Sequence, residues 1–154
     1  MSVLERQIKG AGDAVALLRE LVRNDPVDGL VVVGLDHEQR LCGVGINPRH
    51  RALSWVKVWE LADLATEIDA CALVVGLFPS GVSRAPSRHE VESFVDLCER
   101  LKPSQVLLLD CIVVRGSEWW SLRERSGKFP KSGNSLLSDV GTEGENRTYV
   151  RFLC

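Results

Sequence analysis

The residues with chemical potential cluster in and after "VVGLFPSGVSRAPSRHE", Val74 to Glu90, where an apolar run breaks into a loop of Pro, Ser and Gly. Such a loop, set at the end of a buried strand, is where a metal enzyme keeps its ligands, yet the stretch holds only His89 and Glu90 as donors. Ser87 and Glu90 stand three apart at the start of a helical pattern, the spacing of a capping box, in which serine and glutamate satisfy each other's backbone N–H groups. The three histidines, His37, His50 and His89, are dispersed and fall into no ligand spacing. Asp110 and Cys111 suggest a cysteine nucleophile, but neighbours in a strand point to opposite faces and no histidine has reason to approach, so Cys111 reads as a core thiol.

The elements that must position these groups are legible from periodicity. "GDAVALLRELVRND" places Val15, Leu17, Leu18, Leu21 and Val22 at helical spacing and stops before Pro26. "GLVVVGLD" is a short β-branched run of the kind covered on both faces, and "LCGVGIN" is its partner across the turn "DHEQ". "ALSWVKVWELADLATEIDA" predicts one long helix, with Trp55, Val58, Trp59, Ala62 and Ala65 forming its apolar stripe. "CALVVGLF" is a second buried strand, and "SRHEVESFVDLCERLKP" a third helix closed by Pro103, with Val91, Phe94, Val95, Cys98 and Leu101 facing a core. "SQVLLLDCIVV", the turn "RGSE" and "WWSLRE" read as a hairpin, and "RTYVRFLC" alternates as an edge strand would.

Strands interleaved with helices give an α/β fold with helices packed on a mixed central sheet. The 154 residues suffice for one core, so residues 1–125 are expected to form a single domain that includes the first helix. Residues 126–154, rich in Gly, Ser and charge, are expected to form a flexible loop and a C-terminal edge strand. A net charge of -2 supplies no global attraction for phosphate backbones. No apolar run spans a bilayer, and "MSVLERQIKGAGD" lacks the apolar core of a secretory signal, which sets the cytoplasm as the expected compartment. Five cysteines without a CxxC pair argue against a closed disulfide framework and are expected to be reduced.

The ordered segments "LVVVGLDHEQRL", "NPRH", "ALVVGLFPSG", "APSRHE" and "VLLLDCIVVRGSEWWSLRERSG" resemble the RadC branch of the JAB/MPN (JAMM) metalloprotease-like family, over about Gly29 to Gly127. The resemblance implies a JAB/MPN-like, cytidine-deaminase-like sheet flanked by helices. In active members His-x-His precedes Pro-Ser-Gly and a Ser-x-x-Asp follows; the two histidines and the aspartate hold zinc, and an upstream glutamate takes the proton of the bound water. Here Gly76 and Phe78 occupy the histidine positions, ahead of the retained Pro79, Ser80 and Gly81. Ser87 and Glu90 hold the Ser-x-x-acid positions, "LCGVGIN" offers no upstream glutamate, and the linking loop is one residue longer than the family pattern.

The resemblance therefore implies an inactive member with no cofactor and no metal, working by binding a protein: another JAB/MPN protein, or itself. Phe78 at the mouth of the ancestral cleft would replace metal and water with an apolar ring. A second candidate surface is "WWSLRERSGKFPK", where Trp119, Trp120, Arg123 and Arg125, followed by Lys128 and Lys131, combine aromatic rings with cations. Two other readings follow from the same residues. One is a divergent zinc peptidase or isopeptidase using Glu90, His89 and a further ligand. The other is a DNA-associated accessory protein using the basic tail, although the stretch ahead of the first helix is expected to be too short for the helical DNA-binding segment that RadC proteins often carry.

Overall fold

The two runs too apolar for any exposed face become the middle of a sheet in the computed structural model, which describes residues 6–24, 29–47, 52–79 and 85–127. Every residue of β1 (Leu30–Leu35) and β3 (Ala72–Leu77) is buried. These two strands lie side by side, antiparallel, with β2 (Leu41–Asn47) antiparallel to β1 at one edge. On the other side β4 (Leu107–Arg115) runs parallel to β3, and β5 (Glu118–Ser121) returns antiparallel to β4. The result is a five-stranded mixed sheet in the order β2-β1-β3-β4-β5.

Helices cover both faces, as a sheet buried on both sides requires. On one face α1 (Ala11–Asn24) packs Leu17 and Leu18 against Val31, Val33, Val74 and Ile112. On the other, α2 (Val58–Glu67) and α3 (Arg88–Leu101) pack Leu61, Phe94 and Leu97 against Val32, Val75, Cys111 and Val113. The period of two along each strand sends alternate side chains to the two layers, which is why "VVV" in β1 serves both cores at once. The α/β architecture expected from sequence is present: a mixed sheet flanked by helices.

Three expectations are corrected. The long helix expected over residues 52–70 is instead a 3-10 turn at Leu53–Trp55, a break at Val56 and Lys57, and then α2. "WWSLRE" is strand only as far as Ser121, whose hydroxyl accepts the N–H of Glu124 at 3.2 Å and caps a short helix, α4 (Leu122–Ser126). Cys71 is disulfide-bonded, whereas Cys42, Cys98 and Cys111 are free thiols; an odd cysteine count rules out complete pairing but leaves room for a single bridge.

Of the segment expected to be a flexible loop and edge strand, only Ser126 and Gly127 are described, and they close α4. The edge strand expected at "RTYVRFLC" lies outside the described residues. Among the described residues no helix is long and apolar enough to cross a membrane.

Candidate functional site

The two halves of the expected motif end up in different layers. Gly76 is the fifth residue of β3 and turns toward α1, where a Cβ would meet a methyl carbon of Leu18 at 2.6 Å. Leu18 thus fills the space that a side chain at this position would need. Phe78, two residues on and on the same side, packs against the same α1 layer and is half-buried. Neither position presents a metal donor. Pro79 is half-buried just beyond the strand, and Ser80 and Gly81 lie outside the described residues.

Ser87 and Glu90 begin α3, which covers the opposite face. The Glu90 N–H donates to Ser87 Oγ at 3.2 Å, and the Ser87 N–H donates to Glu90 Oε1 at 2.9 Å, so the expected capping box is formed. The second carboxylate oxygen, Oε2, lies 3.6 Å from Arg115 Nη2, in a pair whose side chains are largely shielded from solvent. Arg115 in turn sits over the ring of Trp120, 6.0 Å from its centroid. At the end of β4 a guanidinium therefore pairs with the carboxylate, and one Glu90 oxygen serves the helix cap while the other faces the arginine.

A buried polar node lies one layer deeper. A bulge in the β3–β4 register, between the pairs Leu73–Leu108 and Val74–Asp110, re-aims the chain at Asp110, which is fully buried. Its Oδ1 accepts the N–H groups of Cys111 at 2.7 Å and Arg123 at 3.1 Å, and its Oδ2 accepts the Ser121 hydroxyl at 2.7 Å. The carboxylate thereby ties β4 to β5 and to the start of α4. No side-chain polar atom buried among the described residues lacks a hydrogen-bond partner.

The thiols near this node are electrically unsuited to attack. Burial first, then the charges of Asp110 and Glu90 and the neighbouring Cys98, pushes the Cys111 thiol well above its usual value. Burial, with Asp110 and Glu99 adding to it against the opposing Lys102 and Arg123, pushes Cys98 up to about 12. Both are protonated at neutral pH, and the protonated thiol is a poor nucleophile.

The remaining expected positions are dispersed. His37 and His89 are exposed on a turn and on the first turn of α3, and His50 lies outside the described residues. Among the described residues no group of three His, Cys, Asp or Glu side chains stands where it would hold a metal ion. Trp119 and Trp120 split between the two faces as strand alternation requires, and both are half-buried. Arg123 is half-buried and Arg125 exposed on α4, while Lys128 and Lys131 lie outside the described residues.

The exposed tryptophans are instead Trp55 and Trp59, at 56% and 61% exposure. One helical phase from Ala52 to Ala70 puts both on a buried stripe; the break at Val56 and Lys57 takes Trp55 out of that phase, and within α2 the buried side is the one carrying Leu61 and Ala65, which leaves Trp59 off it. At the start of α2 the Lys57 N–H donates to Glu60 Oε1 at 2.9 Å, while the lysine side chain, which carries donors alone, makes no cap bond.

Compared with known protein families and with curated proteins, the chain gives no match to either.

Proposed function

We propose that this chain is a catalytically inactive, RadC-like JAB/MPN domain that acts by binding another protein. The mixed sheet with helices on both faces is consistent with the fold which the segment order implies. The observation that carries the reading is the state of the motif positions. Gly76 is covered by Leu18, Phe78 is an apolar ring, and Glu90 is held by Ser87 and Arg115 in the other layer. A JAMM-type hydrolase needs three protein ligands converging on one open cation site, and a carboxylate facing a guanidinium has its charge already satisfied.

The test is turnover. Fluorogenic peptide and lysine-isopeptide substrates are incubated with the purified chain, with and without added zinc, beside Glu90→Gln. The expected result is no hydrolysis above buffer in either protein. Zinc-dependent hydrolysis that disappears in Glu90→Gln would replace this reading with that of a divergent peptidase.

A further inference from the structure

Beside the edge strand β2, the sheet and α2 enclose an open groove of about 290 Å³. Its floor is Leu30, Val32 and Gly45, and its wall includes Trp59 and Leu64. Gly45 shapes it: a Cβ there would meet a methyl carbon of Leu64 at 2.6 Å, so a side chain at this position would displace Leu64 from the groove wall. Trp59 leaves 61% of its surface in solvent beside the groove. On the sheet's other face Ile46, paired with Val31 of the α1 layer, is 48% exposed at the same edge.

An antiparallel edge strand turns alternate backbone N–H and C=O groups outward; at the start of β2 the Leu41 N–H already donates to the Arg6 carbonyl at 3.0 Å, beside a bridge between Gln7 and Arg40, whereas from Cys42 to Asn47 β1 is the only strand partner among the described residues. A strand added there would send alternate side chains to the two faces, one set over Trp59 and the groove and the other over Ile46. The rim fixes the sign of its charge. Glu60, Asp63 and Glu67 border the groove, and Asp63 and Glu67 make no ion pair among the described residues. Acidic borders repel nucleic acid and disfavour a second copy that would bring the same acids to the same edge.

We infer that the β2–α2 edge takes an extended segment of a partner protein that alternates apolar with basic residues and adds to the sheet as a strand. This deepens the binding role proposed above and rests on it for the assumption that recognition is the working activity. Aromatic anchors carry a large share of binding energy at protein interfaces, which makes Trp59 the side chain on which affinity should depend most.

The probe is a capped synthetic peptide of about six residues, the usual length of a strand, alternating valine with arginine. Its counterpart carries glutamate in place of arginine. Amide hydrogen exchange across the full chain reads the footprint, and titration reads affinity. The expected result is slowed exchange in β2 with the basic peptide and none with the acidic one. The affinity falls by about tenfold or more in Trp59→Ala and in the double variant Asp63→Lys with Glu67→Lys. Both variants alter exposed side chains, and an unchanged urea midpoint confirms that the fold is kept.

Equal binding of both peptides, a footprint elsewhere, or no footprint overturns the proposal. So does an edge already protected beyond Leu41, from Cys42 to Asn47, before peptide is added, which means that the chain or a second copy covers it. Protection of the edge by a single-stranded oligonucleotide overturns it as well. Turnover in the peptidase assay would overturn the inactive-domain reading while leaving this footprint to stand or fall separately.

Discussion

At the residue scale the account turns on Gly76, Glu90 and Ser87. If position 76, where the resemblance would set a histidine, is closed, a histidine placed there should not create a site. Gly76→His drives a ring into Leu18 and should cost about 1–3 kcal/mol or more of stability, read by urea unfolding, with no gain in zinc affinity. A stable variant that binds zinc would show that Leu18 does not close the position. Ser87→Ala separates the structural role of the Ser-x-x-Glu pair from a ligand role. Loss of the cap should cost about 1 kcal/mol and leave metal content unchanged, whereas a drop in bound metal would assign the pair to a metal site. Ser87 and Glu90 were legible in the sequence because a capping box is local, fixed by spacing alone. Arg115 was not, because nothing local says that a residue at the end of β4 will meet one at the start of α3.

At the scale of elements, the runs with one unbroken period were readable and the composite ones were not. β2 has the expected ends at Leu41 and Asn47, and α3 begins after Ser87 as its cap dictates. The stretch from Ala52 to Ala70 misled because Trp55 and Trp59 fit a single helical stripe only if the chain never breaks at Lys57. "WWSLRE" misled for a related reason. Ser121 belongs to β5 and also caps α4, and the switch is stabilised by Asp110, a residue eleven positions earlier. Asp110→Ala should therefore loosen the hairpin and α4 together. It leaves buried donors on Cys111, Ser121 and Arg123 without this acceptor, at a cost of about 2–4 kcal/mol in urea unfolding. A loss under about 0.5 kcal/mol, the range of ordinary surface changes, would deny the carboxylate this role.

For the whole molecule, the buried thiols set a pH dependence whose sign is fixed. Cys98 and Cys111 titrate higher in the fold than in the open chain, so unfolding releases protons once the pH passes the ordinary thiol value. The stability they contribute is complete below about pH 8.5 and is lost as pH climbs toward the folded values. The slope is at most about 1.4 kcal/mol per pH unit for each thiol, and for Cys98 the loss ends at a lower pH than for Cys111. Urea midpoints should fall between pH 8 and pH 10, less steeply in Cys98→Ala; a midpoint independent of pH would contradict the burial of these groups. The α/β architecture, with helices on both faces of the sheet, was legible because "LVVVGL" and "ALVVGL" admit no exposed face. The divergence of the motif was not, since Gly76 and Glu90 are close in sequence but belong to layers on opposite faces of the sheet.

The central claim, that no catalytic metal is held between the end of β3 and the start of α3, is tested most directly by elemental analysis of protein purified without chelator. The account predicts far less than one zinc, or any other transition metal, per chain, with the same trace level in Glu90→Gln. One metal ion per chain in the native protein, lost in Glu90→Gln, would contradict it.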